Sequence, residues 1–160
     1  MSSASTFSGF SPSDFAAFEE KKWSSNAFTL ERMKVKEKLA ALQATLARTM
    51  APHEQSFQPH LSDEHPNITN HKRCDAQWLY YTRTQTHAQD LARVLEKTEL
   101  KPDKIFNIAP QEKHIALACI VDNKAVHVGL FMHPGAWVDR RNFAAKLQHT
   151  NILGLFDSGE

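Results

Sequence analysis

The sequence predicts an α+β fold, with N-terminal helices packed on a mainly antiparallel sheet and a C-terminal hairpin followed by a helix. Three stretches carry this expectation. Between Thr29 and Pro52, Val35, Leu39, Leu42 and Leu46 recur at 4-3-4 spacing and Met50 extends the stripe, as on one face of an amphipathic helix. Over residues 76–84, Trp78, Tyr80 and Thr82 alternate with Leu79, Tyr81 and Arg83, the two-residue period of an aromatic-rich strand. Residues 114–132 hold two apolar runs joined through Asp122-Asn123-Lys124, a hairpin signal.

Residues 1–6 are Ser-rich and expected to be disordered, which leaves residues 7–160 as a single domain. Phe7-Ser8-Gly9-Phe10 anchors the chain before Ser11-Pro12-Ser13-Asp14. That is a helix start, with Ser as N-cap, Pro at the first helical position and an acid in the first turn. Phe15 and Phe18, three residues apart, are expected to pack inward with Phe10. A polar break at Trp23-Ser24-Ser25-Asn26 precedes the long helix. Its stripe covers only about three turns, which suits docking on a sheet better than a coiled coil.

Residues 52–75 show no periodicity and contain His53, His60, His65 and His71 among Pro52, Pro59 and Pro66, so they read as an extended polar loop. Residues 86–98 read as a helix edged by Leu91, Val94 and Leu95, and residues 104–109 as a short strand between Pro102 and Pro110. After the hairpin, His133-Pro134-Gly135 turns the chain. Asp139 is then expected to cap a helix running through Gln148, with Phe143 and Leu147 on its buried side.

Parity constrains the hairpin. Ile115, Leu117, Cys119 and Val121 share one face of the first strand, and Val126, Val128, Leu130 and Met132 share one face of the second. A loop with an even number of residues joins these large-residue faces, and Asn and Asp tolerate the positive φ of a two-residue turn. The large face is therefore expected to be core. The opposite face has a shallow floor of Ala116, Ala118 and Gly129, with His114, His127 and Phe131 around it. It calls either for a closely packed helix or for a ligand with His127 as a polar contact.

The 19 Lys and Arg balance the 18 Asp and Glu, so no whole-molecule attraction to nucleic acid or to an anionic membrane is expected. No apolar run approaches the roughly 20 residues that span a bilayer. The opening MSSASTFSGF has neither the basic nor the apolar region of a secretory signal. With only Cys74 and Cys119, a reducing, cytoplasmic setting is expected.

Nine histidines invite a metal reading, but His71-x2-Cys74 has no matching second half and no His-x3-His is present. The expectation is therefore no metal and no cofactor. No nucleophile elbow, phosphate-cradling loop or dinucleotide fingerprint is present either. A small hydrolase would have to draw on His60, His127 or Cys74, two of them meeting within hydrogen-bond reach. The candidate binding residues are His60, His71, Arg73, Trp78, Tyr80, Arg83 and His127. Their basic and aromatic mixture suits an anionic ligand, a nucleotide or single-stranded nucleic acid. The apolar tail Ile152, Leu153, Leu155 and Phe156 is the candidate contact for a protein partner.

Three stretches give the chain a resemblance to the YktB-like family of uncharacterised bacterial proteins. They are Phe7-Ser8-Gly9-Phe10 through Asp14-Phe15 to Phe18, then Pro59-His60-Leu61 leading by basic residues to Asp75-Ala76-Gln77-Trp78, and last His127-Val128-Gly129-Leu130. The resemblance implies an α+β fold with helices on a largely antiparallel sheet, and it implies no activity. Residues 86–98 and those after Trp137 depart from the family pattern. The reading that results is a non-catalytic binding or accessory domain, with a nucleotide- or nucleic-acid-binding module and a small hydrolase as the alternatives.

Overall fold

The computed structural model describes residues 7–96 and 114–149. Helix α1 (Pro12–Ala16) starts as expected, with Ser11 in extended backbone as N-cap and Pro12 in the first turn. Asp14 locks that turn by accepting from the Ser11 amide (2.6 Å) and hydroxyl (2.8 Å), and Lys38 donates to the same oxygen. Burial pushes the Asp14 carboxyl up, but these hydrogen bonds and the Lys38 charge outweigh it and hold it below the usual range. Two short 3-10 turns lead to α2 (Thr29–Met50), which stops before Pro52 as its sequence requires.

A four-stranded antiparallel sheet follows, in the order β1 (Phe57–Leu61), β2 (Ala76–Arg83), β3 (Ala116–Asp122) and β4 (Val126–Phe131). Helix α3 (Gln85–Glu96) follows β2, and α4 (Trp137–His149) follows β4. The protein is thus α+β, with helices against an antiparallel sheet and a hairpin leading into the last helix. The expected strand over 104–109, the tail 152–156 and residues 1–6 lie outside the described residues, as do the side chains of Leu91, Val94 and Leu95.

Strand β1 corrects the reading of 52–75 as loop throughout. It pairs Phe57 with Arg83, His60 with Tyr80 and Leu61 with Leu79. Pro59 lies within it, which is tolerated because β1 is an edge strand and a missing N–H there costs the sheet least. The hairpin register is the expected one, with Leu117 opposite Leu130, Cys119 opposite Val128 and Ala118 opposite Gly129. Its turn uses no positive φ, however. The Asp122 carboxylate instead accepts the amides of Lys124 (2.7 Å) and Ala125 (2.9 Å), an Asx-type turn.

Burial corrects the assignment of faces. The main core lies under α1 and α2, where Phe18, Val35, Leu39, Leu79 and Val121 are almost wholly buried and Phe10 and Phe15 pack alongside. Along one row of that face exposure rises from Leu79 (1%) to Cys119 (8%) to Val128 (75%). The contacts explain the gradient: α2 lies on β1 and β2 and α1 on β3, leaving Val128 and Leu130 of β4 outside their reach. The large-residue face is therefore core at Cys119 and Val121 of β3, and exposed at Leu117 and along β4.

The small face, by contrast, is filled around its alanines and open at Gly129, where an added Cβ would meet nothing within 4 Å. Ala116, Ala118, Ile120 and Tyr80 are buried together, with Ala76, Trp78 and Phe131 packed against them. The rings of Trp78 and Phe131 meet edge to face at 5.8 Å, so aromatic side chains of the flanking strands fill the space above the alanines. Phe143 and Leu147 of α4 are each 41% exposed, so they do not form its buried side. Asp139 does not cap the helix either. It lies inside the first turn, ion-paired to Arg83 and accepting the Ile115 amide at 2.8 Å. His114 Nδ1 stands 3.6 Å from the oxygen that accepts the Ile115 amide, too long for a hydrogen bond. Buried at the junction of β2, β3 and α4, this carboxyl is pushed up by desolvation. His114, the Ile115 amide and Arg83 outweigh that and hold it below the usual range.

Candidate functional site

The connection from β1 to β2 is not a slack loop. Asn67 and Asn70 bind each other's backbone, Asn67 reaches Asp63 (2.6 Å), and Asn70 reaches the His65 carbonyl and the Cys74 sulfur. His71 and Lys72 both adopt positive φ, 55° and 59°, a costly conformation for two consecutive residues with side chains. The Lys72 amide donates to the Asn67 carbonyl at 2.6 Å within that bend.

Four contacts hold this loop onto the helical layer. Arg32, fully buried on α2, donates to the carbonyls of Glu64 (2.6 Å), Lys22 (3.2 Å) and Ser25 (2.8 Å). Lys36 pairs with the Glu64 carboxylate at 2.6 Å, and that hydrogen bond, stronger than the desolvation opposing it, keeps Glu64 below its ordinary pKa. The Cys74 amide donates to the Trp23 carbonyl, and the Arg73 guanidinium lies 4.4 Å from the Trp23 ring centroid. The polar break at Trp23 is therefore the anchor of the loop.

Between this loop, the small face of the sheet and the turn after β4 lies a cleft of about 780 Å³. The loop contributes Asp63, Thr69, Asn70, His71, Arg73, Cys74 and Asp75; the sheet contributes Leu61, Ala76, Trp78, Tyr80 and Phe131; Met132, His133 and Pro134 close the far side. Volume and lining fit a small-molecule site, an apolar floor with a few polar groups.

Of the residues singled out from sequence, the structure brings His71, Arg73, Trp78 and Tyr80 to this cleft. His60 is not on its wall. It stacks on Tyr80 from the neighbouring strand, 5.2 Å between centroids, and burial lowers its pKa. Its Nε2 is buried and has no partner. Arg83 is committed to Asp139 at the other end of β2. His127 is exposed and bonds Asp122 across the hairpin at 2.9 Å.

Sequence reasoning missed Asp63, Asp75 and Met132, and it placed Phe131 at the small face without the loop it meets, because Phe131 and Met132 lie more than fifty residues from that loop. The one local signal was the Asn67–Asn70 pair, whose side chains favour tight turns.

Two buried acids in the cleft wall are held neutral. Burial pushes the Cys74 thiol up to about 11 against the opposing pull of Arg32, with the charges of Asp75, Asp63 and Glu64 adding to it. Burial and the charge of Asp63 push the Tyr80 phenol up to about 12. The Cys74 sulfur accepts from Asn70 (3.3 Å) and donates to the Asp63 carbonyl (3.7 Å). It is thus a structural thiol and not an activated one. None of His60, His127 and Cys74 hydrogen-bonds another of the three. Among the described residues no three His, Cys, Asp or Glu side chains gather to hold a metal ion, and no helix is long and apolar enough to cross a membrane.

Compared with protein-family models, curated proteins and solved structures, the chain gives no significant match.

Proposed function

We propose that this protein is a non-catalytic small-molecule-binding domain and that the cleft between the β1–β2 loop, the small sheet face and the turn at 132–134 is its binding site. The observation that carries the reading is the convergence there of Trp78, Tyr80, Phe131 and Met132 with a loop tied down through Arg32, Lys36 and Trp23. A preformed wall loses little entropy on binding, and the apolar floor supplies the driving force. A protonated, buried Cys74 supports binding over nucleophilic chemistry. Two free, buried thiols fit the reducing, cytoplasmic setting proposed from the sequence, and membership of the YktB-like family is proposed on the sequence resemblance alone.

Nucleic-acid binding has less support. Tyr80 is 3% exposed and Arg83 is tied to Asp139, so the platform of stacking rings and phosphate-binding cations is not presented on one surface.

The test is a titration of ¹⁵N-labelled protein with indole and benzamide. Saturable shifts at the amides of 62–76 and 131–133, abolished by Met132→Trp, are expected. Shifts confined to the outer face of β4, or none at millimolar probe, would overturn the reading.

A further inference from the structure

We propose that the cleft selects an organic cation, a charged nitrogen carried on a flat apolar body such as an aryl amidine or aryl amine. This rests on the cleft being a binding site and adds the chemistry that it accepts. Two formal negative charges, Asp63 and Asp75, and one formal positive charge, Arg73, lie on its wall. Asp63 gives one oxygen to the Asn67 amide at 2.6 Å. Asp75 is exposed and forms no hydrogen bond or ion pair with the described residues, so its carboxylate is open to a ligand. Both act on the floor between them: each raises the Cys74 thiol, and Asp63 raises the Tyr80 phenol as well, after burial in both cases.

Of the neighbouring cations, Lys36 is matched by Glu64 and Arg32 is buried among carbonyls, while Arg73, on the wall itself, lies against the Trp23 ring. What faces a ligand is a net excess of one negative charge, with the Asp75 carboxylate unpartnered among the described residues, on a wall that also carries the rings of Trp78 and Phe131. A cation is attracted both by the charge and by an aromatic face, while an anion is repelled by each.

Benzamidine, benzamide and benzoate share one body and differ in charge, so they isolate the question. At pH 8, where an ordinary imidazole is neutral, titration of the full chain is expected to give benzamidine an affinity roughly tenfold above that of benzamide, with benzoate weaker still. Asp75→Asn, an exposed change that leaves the fold intact, is expected to reduce the preference to within about threefold, and Asp63→Asn to reduce it further. A preference for benzoate, or a cation preference that survives both substitutions, overturns the proposal while leaving the cleft as a binding site. Failure of all three to bind at millimolar concentration overturns the binding site itself.

Discussion

Arg32 is a fully buried cation whose described partners are all neutral: three backbone carbonyls and the Thr29 hydroxyl. It carries no charge to a substrate. Its fork joins the turn at Lys22, the turn at Ser25 and the loop at Glu64, which one planar guanidinium reaches and a lysine cannot. Arg32→Met strands three carbonyl acceptors and is expected to cost at least about 3 kcal/mol in denaturant unfolding. Arg32→Lys should recover only a minor part; full recovery would show that charge alone is needed. At Cys74 the chemistry is equally specific. With a pKa near 11, its thiolate fraction at pH 8 is roughly a hundredfold below that of a free cysteine. Site-resolved iodoacetamide labelling should therefore be slower by at least that factor. Labelling at the rate of a free thiol would revive a nucleophilic role.

At the scale of elements, β1 is held by one ring contact as well as by its ladder, since His60 stacks on Tyr80 with a lowered pKa. A histidine whose folded pKa lies below the unfolded value contributes its full stability above about pH 6.5, and the contribution falls as pH drops through that value toward the folded pKa. The protein should accordingly lose stability between pH 7 and 5, and His60→Phe should lose less over the same window in parallel melts. Equal losses would mean that His60 titrates as freely as in the unfolded chain. The hairpin offers a second comparison, because Val121 is fully buried and Val128 is 75% exposed on the same face. Val121→Thr should cost about 1–3 kcal/mol by burying a hydroxyl, and Val128→Thr less than about 0.5 kcal/mol. Similar costs would mean that β4 is covered in solution.

These elements also mark what the sequence could disclose. Helix α2, strand β2 and the hairpin register were legible because each is set by local period or parity, and the α1 start because its Ser11-Pro12-Ser13-Asp14 signal is chemical. Strand β1 was hidden by its five-residue length and by Pro59, which local rules read as a loop. The face of β4 was misjudged because side-chain size along a strand does not say how far the overlying helix extends. The floor of Ala116 and Ala118 was recognised as special, but its cover comes from Trp78 and Phe131 on other strands, a tertiary fact.

For the whole molecule, the helical layer and the sheet together hold one loop in place. Asp14 joins α1 to α2, Arg32 and Lys36 join α2 to the loop, and Asp139 joins β2, β3 and α4. The cleft is where that loop meets the small face, and near-neutral net charge leaves its local carboxylates to set what it attracts. If the cleft binds small ligands, a crystallographic fragment screen finds them clustered beside Trp78, Met132 and Asp75; an empty cleft, with fragments gathered instead on Leu117, Val128 and Leu130, rules that binding out.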